Sequence, residues 1–264
     1  MNAALPLIAS KDNPRFKALL KLATTSRERR ERGLSVIEGV HLIEAALQHG
    51  VALREMFLPS DAMPEGEAQR VVRRTGLEAT LLAPALFKAV SQVEQGGGPL
   101  ALIETPQEAL PERISSDCVI LEDVQDPGNL GAILRTCAAA GVRLVLLSHT
   151  SVYAWSPKVL RSAMGAHFAL TIVEGIDCHA ALARLDGVTA WVTALDGAQS
   201  LYGEQLRAPS AWIFGNEGSG VSPALQAAAQ RRVKIPQAAH VESLNVAAAV
   251  AVCLFEQLRQ RQTS

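Results

Sequence analysis

Residues 118–147 read CVILEDVQDPGNLGAILRTCAAAGVRLVLL, and this stretch decides the fold. Cys118 to Leu121 is an unbroken apolar run of strand length. A Pro-Gly turn follows, and then a helical pattern in which Leu130, Ile133, Leu134, Cys137 and Ala138 form one apolar stripe. Gly141 suits the left-handed residue that closes a helix, and Val142 to Leu147 reads as a second strand. Strand, helix, strand in this order predicts parallel strands joined by a crossover helix.

The same alternation continues downstream, with strands predicted at Phe168 to Val173, Val188 to Leu195, Ala211 to Phe214 and Arg232 to Ile235. Upstream, helices are predicted at Pro14 to Ala23 and Val40 to His49, the second ended by Gly50. Strands are predicted at Leu34 to Ile37, Leu53 to Leu58, Ala79 to Leu82 and Leu100 to Ile103. Between the two halves, TPQEALPERISS at 105–116 has two prolines, several charges and little apolar periodicity, which suits a linker. The expectation is a smaller α/β domain over 1–105, a linker over 106–116 and a parallel-sheet α/β domain over 117–264.

Charge narrows the choice of partner. The chain has 264 residues, and 25 Lys and Arg stand against 26 Asp and Glu, so no global basic field draws it to nucleic acid. Any RNA binding must be local. One concentration exists, with Lys11, Arg15, Lys17, Lys21, Arg27, Arg29, Arg30 and Arg32 set against Asp12, Glu28 and Glu31. A solvated helix face explains such a run as well as phosphate contacts do. Cys118, Cys137, Cys178 and Cys253 are far apart and have no CxxC or zinc-type spacing, which predicts buried free thiols and no metal. No apolar run reaches the roughly 18 residues of a membrane span, so a soluble cytoplasmic protein is expected.

Three segments hold residues suited to chemistry. In the first, Arg135 lies off the apolar stripe, leaning back over bare backbone at Gly131, where a cation beside helix N-terminal amides makes an anion site. A solvated surface cation fits Arg135 too, and Asn129 fits an ordinary N-cap. In the second, WIFGNEGSGVSP at 212–223, an apolar strand runs into three glycines around Asn216, Glu217 and Ser219, and Ser222-Pro223 starts the next helix. It lacks the Lys of a phosphate loop and the spacing of a dinucleotide fold. A plain flexible loop would fit, but it leaves Glu217 among glycines without a reason. The third runs from Arg232 to Leu258, where Ile235-Pro236 ends a strand and Ser243 and Asn245 stand before a helix. That helix has no polar side chain from Val246 through Phe255, so it must be enclosed in a core or a subunit interface.

DPGNLGAILRTCAAAG, FGNEGSGVSP and IPQAAHVESLNVAAAVAVCLFE together closely resemble the three ordered motifs of the SpoU, or TrmH-like, RNA methyltransferases of the SPOUT superfamily. Upstream, SKDNPRFKALLKL and VIEGVHLIEAAL resemble, more loosely, the substrate-binding domain often fused to that catalytic domain, whose fold is similar to ribosomal protein L30e. The resemblance implies S-adenosylmethionine-dependent methylation of a ribose 2′-hydroxyl, with ribosomal RNA the favoured target and tRNA the alternative. It also implies a deep C-terminal trefoil knot, a rare exception to the avoidance of knots, and a homodimer with its active site near the interface.

By residue, the resemblance assigns donor binding to Thr193, Ala194, Leu195, Gly215, Asn216, Gly218, Ile235 and Leu244. Arg135 becomes the catalytic organiser, with Asn129, Glu217, Ser243 and Asn245 orienting it and the ribose. A guanidinium keeps its proton to above about pH 12, which favours an electrostatic role over literal general base. RNA contacts fall to Lys11, Arg15, Arg29 and Arg30, and to Lys158 and Arg161 within SPKVLRSAMGAHFAL. The rival readings are a knotted enzyme methylating a base, a binding-only member of the family, and a dinucleotide-dependent enzyme.

Overall fold

The computed structural model describes residues 5–61, 65–93, 98–194, 197–238 and 244–262. The chain forms two compact units, one of Met1–Gln107 with Trp155–Phe168, the other of Glu108–Ala154 with Ala169–Ser264.

In the first unit, β1 (Leu7–Ile8), α1 (Pro14–Thr24), α2 (Ser26–Arg32), β2 (Leu34–Glu38), α3 (Val40–Gln48), β3 (Leu53–Pro59), α4 (Gly66–Arg74), β4 (Ala79–Leu82), α5 (Pro84–Val90) and β5 (Leu100–Glu104) follow in order. The sheet order is β1-β4-β3-β5-β2, with β5 antiparallel to both neighbours and the other pairs parallel. Asn13 caps α1 by accepting from the Arg15 and Phe16 amides. The helix then buries Phe16, Leu19 and Leu22 against Val36, Phe57 and Leu102. Helix α2 was not expected, because SRERRER has no apolar stripe. It is held by the i,i+4 pairs Arg27–Glu31 and Glu28–Arg32 and closed by Gly33 at φ 61°.

The second unit contains β6 (Cys118–Leu121), α6 (Pro127–Ala140) and β7 (Leu144–Ser148). The chain then leaves for the first unit, where it forms α7 (Pro157–Ala163), and returns at β8 (Thr171–Ile176). After this come α8 (Cys178–Leu182), β9 (Thr189–Thr193), β10 (Gln199–Ser200), β11 (Ser210–Phe214), α9 (Pro223–Ala228), β12 (Arg231–Lys234) and α10 (Val246–Gln262). The sheet is wholly parallel in the order β10-β12-β9-β11-β6-β7-β8. A strand expected from Phe168 instead begins at Thr171. His167 and Phe168 lie in a 3-10 turn, where both rings pack against Trp155. Residues 108–116, expected as linker, belong to the second unit, because Ile114 is buried in its core and bridges Leu185. All four cysteines are free and buried. Burial pushes the thiols of Cys118, Cys137 and Cys178 up to about 12, which leaves them unreactive at neutral pH.

One sheet face packs Ile120, Leu146, Val192 and Ile213 into a single cluster. Trp191, Trp212 and Phe214 stack in a row, with ring centroids 5.8 and 6.3 Å apart. The Trp212 indole N–H donates to Gln257 of α10, whose amide donates to Asp117 at 3.0 Å. Asp117 also accepts from the Ser210 amide and from both ends of the Arg261 guanidinium. Burial alone would raise its pKa, but the Arg261 pair and the Ser210 and Gln257 N–H groups outweigh it and hold the carboxyl below 3.8. The polar second half of α10 therefore fastens the helix end to the start of β6. Asp117→Ala should cost about 2 kcal/mol in urea unfolding. Because the folded pKa is depressed, this contribution is full above the unfolded value of 3.8 and fades as pH falls through the folded one.

Candidate active site

The carboxyl ends of β9, β11 and β12 and the start of α10 enclose a cavity of about 370 Å³. Open parallel sheets bind ligands at this edge. Thr193, Ala194, Gly215, Asn216, Gly218, Ile235 and Leu244 all line it, as do Glu217 and Lys234. Leu195 and Ser243 lie outside the described residues. The expected donor set omitted Gln226, Gln237, Val246 and Ala249. Gln226 and Ala249 stand on helices, and no periodicity could reveal that they face a ligand space.

The loop after β11 is shaped by its own backbone. Asn216 and Gly220 exchange both amide–carbonyl bonds, at 3.1 and 2.9 Å, and Asn216 Oδ1 accepts from the Gly218 and Ser219 amides. Gly215 runs so close to the returning strand that a Cβ there would sit 2.2 Å from the Gly220 carbonyl carbon. The far end of the loop is fixed by Glu122, which accepts from both the amide and the hydroxyl of Ser222. Ser222 in turn caps α9, as its sequence suggested.

The segments carrying Asn129, Glu217 and Asn245 meet through one chain of hydrogen bonds. Asp126, not Asn129, is the N-cap of α6, accepting from the Asn129 amide at 2.7 Å. This leaves the Asn129 side chain for other work. Its Nδ2 donates to Glu217 at 3.0 Å, and its Oδ1 accepts from Asn245 Nδ2 at 2.9 Å. Asn245 meanwhile caps α10, with Oδ1 accepting from the Ala247 and Ala248 amides. Glu217 also receives the amides of Gln125 and Asp126. Partial burial would raise its pKa, but the Asn129 amide and these backbone N–H groups more than offset that and keep it an anion. A carboxylate held this way is a poor proton acceptor and a firm anchor.

Arg135 is exposed on α6, forms no ion pair among the described residues, and does not line the cavity. In the first unit the basic run is largely spent. Arg29 is only 3% exposed and donates to the Leu22 and Ala23 carbonyls and to Ser26, so its guanidinium shapes the α1–α2 corner and is unavailable to a phosphate. Arg15 pairs with Glu55, and Arg161 donates to the Gln92 carbonyl at 2.7 Å. Lys11, Arg30 and Lys158 are exposed. Among the described residues no group of three His, Cys, Asp or Glu could hold a metal ion.

Residues 117–255 match the model of the SpoU rRNA Methylase family. The chain belongs to that family. Residues 13–101 of this SpoU methylase match the MRM3-like substrate binding domain. It is 32% identical over 250 residues to the 23S rRNA (guanosine(2553)-2′-O)-methyltransferase RlmP of Bacillus subtilis, covering 94% of this chain and 97% of that protein. The solved SpoU methyltransferase AviRb from Streptomyces viridochromogenes, in complex with AdoMet, superposes with a TM-score of 0.86 at 25% identity, over 96% of this chain and 99% of that one. The A. aeolicus TrmH/SpoU tRNA modifying enzyme covers only 58% of this chain and 79% of that one, with a TM-score of 0.50 at 25% identity.

Two outcomes test the geometry. Gly215→Ala should weaken binding of S-adenosylhomocysteine at least about tenfold by calorimetry and lower the melting temperature, since the added carbon must push the loop after β11 away from the Gly220 backbone. Glu217→Gln replaces one acceptor oxygen with N–H donors facing other N–H groups. It should cut turnover more than it raises the KM for the donor, and an unchanged kcat would refute the anchoring role.

Proposed function

We propose that this chain transfers the methyl group of S-adenosylmethionine to a ribose 2′-hydroxyl of ribosomal RNA. The observation that carries the reading is the hydrogen-bond chain Glu217–Asn129–Asn245 beside the strand-end cavity. The cavity suits such a donor: Ile235, Leu244, Val246 and Ala249 offer an apolar wall for a flat ring, and the glycine loop offers bare backbone. The Gln237 side-chain carbonyl, on a residue of the same wall, is buried without a hydrogen-bond partner among the described residues, which favours a ligand rich in N–H and O–H groups.

When bound, the donor supplies a methyl group made electrophilic by its sulfonium. The protein's task is then to place the ribose oxygen in line with it. Asn129 keeps one amide hydrogen and one lone pair beyond its bonds to Glu217 and Asn245, enough to hold a sugar hydroxyl in a fixed direction. Glu217 stays ionised and fixes which way that amide faces. Arg135 steadies an RNA phosphate and the negative charge growing on the ribose oxygen. Ser243 joins this set by resemblance.

Ribosomal RNA is favoured because the Bacillus subtilis relative spanning both units is named for 23S rRNA, whereas the tRNA modifying neighbour covers 58% of the chain. Lys11, Arg15, Arg30, Lys158 and Arg161 remain the proposed RNA contacts outside the catalytic unit. The reading includes a cytoplasmic site of action, a knotted C-terminal segment and a homodimer. Phe255 is 46% exposed, with Ala248 and Ala139 also exposed on α10 and α6, so the apolar helix is not enclosed by the described residues and suits a second copy. Among the described residues no helix is long and apolar enough to cross a membrane.

Mapping 2′-O-methyl positions in ribosomal RNA with and without the protein tests the reading, and a methylated base in place of a methylated ribose would overturn it. Arg135→Ala should abolish methyl transfer while calorimetry finds donor affinity nearly intact. Retained turnover would show that Arg135 does not take part.

A further inference from the structure

Exposed cations outside any salt bridge occur in both units among the described residues, and on β12 three of them fall within four residues. In the first unit Arg15, Lys17, Arg27 and Arg32 each hold a carboxylate, and Arg29 is buried. In the catalytic unit, β12 exposes Arg231, Arg232 and Lys234, and none of the three has an ion-pair partner among the described residues. Three cations on a four-residue strand repel one another, and nothing in their own sheet neutralises them. Such a cost persists in a fold where a negatively charged partner offsets it.

The register says where these charges lie. Arg232 pairs with Val192 and Lys234 with Ser200, and alternation along a strand puts Arg232 and Lys234 on the same face. Lys234 also lines the donor cavity. Two residues beyond Ser200, Tyr202 is 57% exposed within a 3-10 turn whose first residue, Leu201, is fully buried. Tyr202 sits on an anchored turn that directly follows the strand paired with Lys234, and an exposed ring beside a phosphate track makes a stacking platform. Glu204 is the one carboxylate among residues 197–207.

We propose that the sheet edge formed by β10 and β12, through Arg232, Lys234 and Tyr202, holds the single-stranded RNA flanking the target nucleotide, phosphates on the two cations and an unstacked base on the tyrosine. The inference rests on the RNA-methylation reading and adds that the catalytic unit grips the strand itself instead of leaving all RNA affinity to the substrate-binding unit. A single strand fits because a base in a duplex has no free face to offer Tyr202.

The test uses the full chain and a fluorescently labelled single-stranded RNA of mixed sequence, titrated over a range of salt. Arg232→Glu should weaken binding about tenfold at low salt and lower the slope of log K against log salt by about 0.7 or more. Tyr202→Ala should weaken it about fivefold and leave the slope unchanged. Arg207→Glu makes the same charge change at the amino-terminal end of β11, away from the cavity, and should bind as wild type. Thermal melts establish that each surface variant folds, and S-adenosylhomocysteine affinity should match wild type for Arg232→Glu. If Arg232→Glu and Arg207→Glu bind RNA equally well while the wild type methylates ribosomal RNA, the edge is wrong and the methylation reading stands. A wild type that binds no donor would bring down both.

Discussion

Glu217 is where separate parts of the chain become one site. Its carboxylate gathers the amides of Gln125 and Asp126 and the side chain of Asn129, a residue 88 positions away, and Asn129 reaches Asn245, 116 positions further on. Hydrogen bonds to an ionised acceptor are the strong kind, and here they face donors at the beginning of a helix, where the backbone itself favours an anion. The loop bearing Glu217 could not reach that position if Gly215 carried a side chain, because the backbone passes too close to Gly220. One steric constraint and one charge thus hold the loop after β11, the start of α6 and the start of α10 in register with the strand ends.

Electrostatics elsewhere follow the same logic of pairing before function. The basic run of the first unit looks like a nucleic-acid surface when residues are counted and much less so when partners are. Arg27 and Arg32 are committed to Glu31 and Glu28 on their own helix, and Arg29 is a structural donor to carbonyls. A short helix with no apolar stripe needs these contacts to exist at all. Its charges therefore contribute to folding, and the field beyond it is correspondingly weaker.

Much of this was legible in the sequence because the signals are local. Strand runs such as Cys118 to Leu121, the Gly141 helix end and the Ser222 cap follow from patterns a few residues long. Order and spacing of three motifs pointed to the strand-end loops, and seven of the eight residues expected to bind the donor line one cavity there. What was not legible depends on non-local partners. Asn129 resembled a cap until Asp126 was found in that role, Arg29 resembled a surface cation, and α2 has no hydrophobic period to read. Phe168 to Leu170 continued a strand pattern, but the Phe168 ring and that of its neighbour His167 pack on Trp155 in a turn.

The excursion of Trp155–Phe168 bears on how this protein could be taken apart or recombined. A conventional two-module enzyme is joined by one crossing, so exchange at the linker swaps one module whole. Here the backbone passes between units at 107/108, 154/155 and 168/169. A protease cutting once at the first of these would release neither piece, and a graft of residues 1–107 alone would leave behind a helix that belongs to the departed unit. Inheritance of the two units is tied by topology as well as by function: a new substrate-binding unit must either accept α7 as it stands or bring its own copy into the middle of the catalytic sequence.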